Sequence, residues 1–232
     1  MTPFDLMRGR RTPLRLVILD CDGVIVDSEP VSNRIIAEDL TARGWAMTTE
    51  EANRRFLGVT LHDMQPIIEV RLGRKLPAGW QAEMTGRMVR ALTAEATAIP
   101  GAIEALRALS AMGVPWRVAS NSTHAELAAK FSRLGISDLV AGRVQSHTDV
   151  ARGKPAPDLF LAAAAAEGVD PAECLVVEDS LPGVRAARAA GMDCLGYAPH
   201  GDGAALRVAG AVPFHAMAEL PQLVAAARRR AA

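Results

Sequence analysis

The stretch Leu16-Val17-Ile18-Leu19-Asp20-Cys21-Asp22-Gly23 decides the fold. Four apolar residues in a row read as a buried strand, and the acids that end it emerge at the rim of a sheet. In open α/β sheets, ligands bind outside the carboxyl ends of the strands. Two carboxylates two residues apart raise each other's pKa unless a cation or a chemical task separates them. Metal-assisted reactions use such a pair, one oxygen as a nucleophile that binds the metal and one group for proton transfer.

Outward from this stretch, strand-like runs recur at 14–19, 115–120, 139–145, 174–178, 194–197 and 211–214. Helical stretches at 102–112, 123–134, 157–167, 181–190 and 217–229 separate most of them. Gly113, Gly135, Gly168 and Gly191 stand where helix C-caps are expected. The alternation predicts an α/β fold, a doubly wound, mostly parallel Rossmann-like sheet with helices on both faces. The segment 31–98 breaks the pattern. It carries helical stretches at 31–43, 50–56, 61–72 and 80–96 and no convincing strand, so it reads as an inserted all-helical cap. The core domain is then 1–30 together with 99–232, and the cap, hinged beside the acids, is placed to open and close over them.

The composition narrows the function. The 232 residues hold 26 basic and 26 acidic side chains, and half are hydrophobic. A balanced charge points away from nucleic acid. The basic clusters are Arg8, Arg10 and Arg11, read as a loose N-terminal arm, and Arg228, Arg229 and Arg230 at a helix C-terminus. Three irregularly spaced cysteines make no disulfide framework, and Cys174 and Cys194 read as buried free thiols. No signal peptide or membrane-length apolar run is visible. The expectation is a soluble, cytoplasmic protein, a monomer or weak homodimer, with no membrane partner.

Four stations fall where strands end. Asp20 and Asp22 form the first. Ser120-Asn121-Ser122 precedes a helix, and suits either an anion site or a plain N-cap. Lys154, between Gly153 and Pro155, offers a point charge for phosphate or a solvated surface lysine. Glu178-Asp179-Ser180 offers two acids for a hard cation such as Mg²⁺, or a helix N-cap. In a doubly wound sheet these ends share one rim, and the set is what phosphoryl transfer requires.

The run from Asp20 to Glu29 (Asp20-Cys21-Asp22-Gly23-Val24-Ile25-Val26-Asp27-Ser28-Glu29), with Ser120-Asn121, Lys154-Pro155 and Glu178-Asp179-Ser180 following in order, resembles the haloacid dehalogenase superfamily. The resemblance is to its phosphatase and phosphomutase branch, because Asp22 fills a position that dehalogenases lack. It implies that Asp20 attacks phosphorus to form an aspartyl-phosphate and that Asp22 protonates the leaving alkoxide and then deprotonates water. It further implies Mg²⁺ held by the Asp20 carboxylate, the Asp22 carbonyl, Glu178 and Asp179. Ser120 and the Asn121 backbone would hold phosphate oxygens, and Lys154 would steady phosphate and nucleophile. The substrate is expected to be a small phosphorylated metabolite.

In the cap, Arg54-Arg55-Phe56-Leu57-Gly58-Val59-Thr60 resembles the family's substrate-specificity loop. Arg54 or Arg55, with Arg55 preferred, and His62 are the candidate substrate contacts, against solvated arginines and a satisfied helix histidine. Trp45 and Trp80 read as cap core. A β-phosphoglucomutase-like isomerase shares every core station, but this chain has Ser32 and Leu61 near the positions of that enzyme's cap His and Arg. That departure favours a hydrolase acting on a sugar or sugar-acid phosphate, with phosphoglycolate also open.

Overall fold

The computed structural model describes residues 2–10, 12–56 and 58–228. Arg11, Leu57, Arg229 and Arg230, singled out above, lie outside them.

Six parallel strands form the main sheet: β1 (Leu16–Leu19), β4 (Trp116–Ser120), β5 (Val144–Ser146), β6 (Cys174–Glu178), β7 (Asp193–Tyr197) and β8 (Val212–Phe214), in the order β5-β4-β1-β6-β7-β8. The apolar runs earn this central placement because they are buried on both faces. Val17 and Leu19 of β1 join one core with Trp116, Val118, Leu175 and Val177, while Leu16 and Ile18 join the opposite core with Ala119, Cys174 and Val176. That alternation is the strand period of two. Cys174 and Cys194 are free and buried, as expected.

Helices α6 (Ala102–Ala111), α7 (His124–Arg133), α9 (Asp158–Ala166), α10 (Leu181–Ala189), α11 (Ala204–Ala209) and α12 (Leu220–Arg228) connect or follow the strands. The run at 139–145 is corrected. Ser137–Val140 is a short helix, α8, and the strand begins only at Val144. The break falls at Gly142, whose φ of 72° no extended strand permits. The N-terminal arm is also corrected. Thr2 and Asp5 build a capping box for helix α1 (Pro3–Gly9), and Met7 is buried. Arg10 pairs with Asp193 and donates to the carbonyls of Ala172 and Cys174.

Between β1 and β4 lie the helices α2 (Glu29–Ala42), α3 (Thr49–Phe56), α4 (Leu61–Leu72) and α5 (Trp80–Glu95). Trp45 and Trp80 are buried there, the Trp80 indole N–H donating to Asp39 at 2.9 Å. The chain enters and leaves this segment through an antiparallel ribbon of β2 (Val26–Asp27) and β3 (Thr97–Ala98). Strands of two residues leave no periodicity, so the sequence reading missed them. Among the described residues, no helix is long and apolar enough to cross a membrane.

Candidate active site

Register puts the stations side by side. Leu19 pairs with Val177 on one flank and Val118 on the other, and the Asp20 amide donates to the Val177 carbonyl at 2.9 Å. Asp20, Ser120 and Glu178 therefore leave adjoining strands at one rim.

Oxygens of Asp20, Glu178 and Asp179 lie within 4.8 Å of one another. Lys154 bridges two of them, its Nζ 2.7 Å from Asp20 Oδ1 and 2.6 Å from Glu178 Oε1. Glu178 is fully buried, and its Oε2 accepts from the Asp179 and Ser180 amides and the Ser180 hydroxyl. The Asp179 carboxylate accepts no hydrogen bond from a described residue, and burial pushes it well up, with Glu178 and Asp20 adding to the effect. Burial pushes Asp20 up to about 8, Lys154 opposing and Glu178 and Asp22 reinforcing. Burial alone would lower Lys154, but Asp20 and Glu178 hold it above the ordinary lysine range. Three crowded carboxylates facing one lysine leave an excess of negative charge, and an all-oxygen set of this kind fits a hard divalent cation.

Two glycines permit the crowding. Gly23 turns at φ 72°, and a Cβ there would stand 2.0 Å from Asp179 Oδ2. In α10, a Cβ on Gly183 would stand 1.7 Å from Glu178 Oε1. Gly183→Ala must displace a buried, paired carboxylate, and we expect it to cost about 3 kcal/mol. Urea unfolding checks this, since an unchanged midpoint would mean that Glu178 has room to move.

Asp22 stands apart from the acid cluster. Its Oδ1 meets Lys130 Nζ at 2.5 Å and the Ser28 hydroxyl, and its Oδ2 accepts from the hydroxyls of Ser120 (3.2 Å) and Ser122 (2.9 Å). Burial would raise this carboxyl, but Lys130, Ser28 and Ser122 hold it at about 2. The Asp22 carboxylate expected to be free for proton transfer is thus fully engaged. Cys21, between the two aspartates, is buried in the core, and its thiol is pushed well up by burial and by Asp22, so it acts as a spacer.

Ser120 is buried at this carboxylate. The Asn121 side chain is a tie, accepting from the Lys154 amide at 2.9 Å and donating to the carbonyls of Lys154 and Gly58 at 3.1 and 3.0 Å. The Lys154–Pro155 peptide is cis. Through Gly58, the segment between β1 and β4 closes over the rim. The resulting pocket is lined by Asp22, Asn121, Ser122 and Lys130 from below and by Ser32, Asn33, His62, Gln81 and Thr85 from above. His62 reaches it. Arg55 does not. It is exposed, with its guanidinium over the Trp45 ring at 5.6 Å and outside the pocket lining.

Three pocket residues escaped the sequence reading. Glu29 sits at the first turn of α2, where burial, reinforced by Asp22, Asp27 and Glu178, raises it to about 7. His147 follows β5 in a short 3-10 turn. Lys130 lies on α7, and a signal was there, since Leu127, Lys130 and Phe131 share the buried face at i, i+3 and i+4.

With this geometry in place, residues 14–191 match the haloacid dehalogenase-like hydrolase family. The chain belongs to that family. It is 32% identical over 182 residues to the 6-phosphogluconate phosphatase of Escherichia coli, covering 78% of this chain and 80% of that protein. It is 34% identical over 179 residues to hexitol phosphatase A of the same organism, covering 75% and 78%. Among solved structures, a haloacid dehalogenase family hydrolase from Deinococcus radiodurans with bound phosphate and sodium superposes with a TM-score of 0.72 at 33% identity, over 92% of this chain and 96% of the other. As a haloacid dehalogenase-like hydrolase, the chain carries its acid cluster at the carboxyl ends of β1 and β6.

Proposed function

We propose that the protein is a phosphatase that hydrolyses a small phosphorylated metabolite, a sugar or sugar-acid phosphate, with Mg²⁺ and through an aspartyl-phosphate on Asp20. The observation that carries this reading is the Asp20–Lys154–Glu178 bridge beside Asp179, with a second aspartate, Asp22, at the rim of the pocket. Asp20, Glu178, Asp179 and the Asp22 carbonyl would hold the metal. Bound there, Mg²⁺ supplies the positive charge that lets an anionic carboxylate approach an anionic phosphate.

The remaining steps belong to the chain's own residues. Asp20 attacks phosphorus as the bond to the leaving oxygen breaks, and Asp22, held ionised at about 2 in the unliganded site, must first take up the proton that it then passes to the departing alkoxide. Water then attacks the aspartyl-phosphate while Asp22 accepts its proton, releasing inorganic phosphate and restoring Asp20. Ser120 and the Asn121 backbone would hold phosphate oxygens, and Lys154 would neutralise both phosphate and nucleophile. The segment 31–98 serves as the cap that selects the substrate. Its polar contribution to the pocket is neutral and hydrogen-bonding, from Ser32, Asn33, Gln81, Thr85 and His62, and is set beside apolar Ile36, Phe56, Met64 and Met88. Hydroxyl and amide groups against an apolar wall suit a polyhydroxylated carbon chain. Ser32 and Leu61 also line the pocket, and neither carries the charge or the proton shuttle on which a phosphosugar isomerase relies.

Two assays test this. We expect p-nitrophenyl phosphate to be hydrolysed only with Mg²⁺, and rates unchanged by chelator would remove the metal assignment. Across a panel of sugar phosphates, sugar-acid phosphates, phosphoglycolate and nucleotides, the highest kcat/KM is expected on a polyol or sugar-acid phosphate. Conversion of β-glucose 1-phosphate to glucose 6-phosphate without free phosphate would instead establish a mutase.

A further inference from the structure

We propose that Lys130 is a positioning residue for Asp22, anchoring one carboxylate oxygen so that the other turns to the leaving group. The proposal rests on the phosphatase reading and concerns only how Asp22 is aimed.

The two Asp22 oxygens have partners of different kinds. Oδ1 is held by Lys130 at 2.5 Å and by the Ser28 hydroxyl. Lys130 is 1% exposed and also donates to the Ser122 hydroxyl at 2.7 Å. A buried ammonium that lost Asp22 would keep, among the described residues, only Glu126, outside ion-pair distance, to offset its charge, so Oδ1 stays anchored. Oδ2 is held by neutral hydroxyls alone, those of Ser120 and Ser122. Ser120 is also the residue assigned to a phosphate oxygen. When phosphate takes the Ser120 hydroxyl, Oδ2 loses a donor while Oδ1 keeps both of its own. Oδ2 then keeps the Ser122 hydroxyl as its one donor, so the carboxylate can pivot about Oδ1 by giving up a single neutral bond, and the arrival of phosphate loosens the oxygen that exchanges a proton with the substrate.

The composition of the chain supports a specific need for lysine. Of 26 basic residues only Lys75, Lys130 and Lys154 are lysines, the rest being arginine. Lys75 is exposed, while Lys154 and Lys130 are buried, one against each of the two aspartates. A compact ammonium reaches both the Asp22 carboxylate and the Ser122 hydroxyl there, and a guanidinium is a planar fork of different shape.

A leaving-group comparison tests the proposal, because kcat/KM reports the steps through departure of the alcohol. A p-nitrophenolate leaves without a proton, whereas the alkoxide of a sugar phosphate needs one. For Lys130→Met, kcat/KM on a hexitol 6-phosphate is expected to fall by roughly 100-fold and on p-nitrophenyl phosphate by less than about tenfold. Ser122→Ala, a milder change, should fall in the same order with a smaller gap, and it decides the matter if Lys130→Met fails to fold. Equal losses on both substrates, or no loss, would overturn the proposal. Wild-type protein that hydrolyses neither substrate would instead sink the phosphatase reading itself.

Discussion

Asp20→Asn is expected to lower phosphate-monoester hydrolysis by roughly 10⁴-fold or more while leaving the fold intact. The amide keeps the shape of the side chain and removes the carboxylate that meets Lys154 at 2.7 Å, the proposed nucleophile. Cys21 cannot substitute, since its thiol is buried in the hydrophobic core. The same variant carries a stability signature. Asp20 is raised from 3.8 to about 8 in the folded protein. A carboxyl raised in this way destabilises the native state above its unfolded pKa, because the unfolded chain ionises first. Metal-free Asp20→Asn should therefore match the wild type below about pH 4 and gain on it progressively up to about pH 8. Chelator-treated urea unfolding across that range measures the gap. A variant that loses activity but gains no stability with pH would mean that burial and the neighbouring acids do not hold the Asp20 carboxyl up, and retained activity would place the nucleophile elsewhere.

The parts of this architecture legible in the sequence are those written in local chemistry. The apolar runs at β1, β4 and β6 are bounded by acids or serines, so both the strands and their functional ends could be read, and the structure brings Asp20, Ser120, Lys154, Glu178 and Asp179 to one rim. What could not be read depends on long-range placement. The ribbon of β2 and β3 joins residues some seventy positions apart through two residues on each side. Helix α8 replaced the start of a strand because a leucine–valine run suits either state and Gly142 decided the boundary. Arg55 stands beside the Gly58 turn in the sequence, but which way it faces is set by packing, and its guanidinium lies over Trp45. Lys130 reads as one more polar residue on an amphipathic helix until Asp22, 108 positions earlier, is folded against it.

Lys154→Met separates the two tasks of the lysine at the acid cluster. The substitution keeps side-chain length and the apolar contact with Phe160, whose ring lies 4.8 Å from Nζ, and removes the charge shared by Asp20 and Glu178. Glu178 keeps its three donors on Oε2 but loses the only cation that touches it among the described residues. Breaking a buried pair from one side leaves an uncompensated charge, so the metal-free variant should lose about 3–5 kcal/mol of stability. Turnover with Mg²⁺ should fall by about 10²–10³-fold, the cost of one preorganised positive group facing developing charge. The two losses respond differently to metal. A divalent cation among Asp20, Glu178 and Asp179 shares their charge, so Mg²⁺ should restore much of the lost stability. It does not replace the Lys154 ammonium at the phosphate, so the loss of turnover should persist at saturating Mg²⁺. Urea midpoints with chelator and with Mg²⁺, beside kcat at saturating metal, resolve the pair. A stability deficit indifferent to Mg²⁺ would mean that the metal does not sit among these acids, and full recovery of turnover would mean that Lys154 serves the fold and not the phosphate.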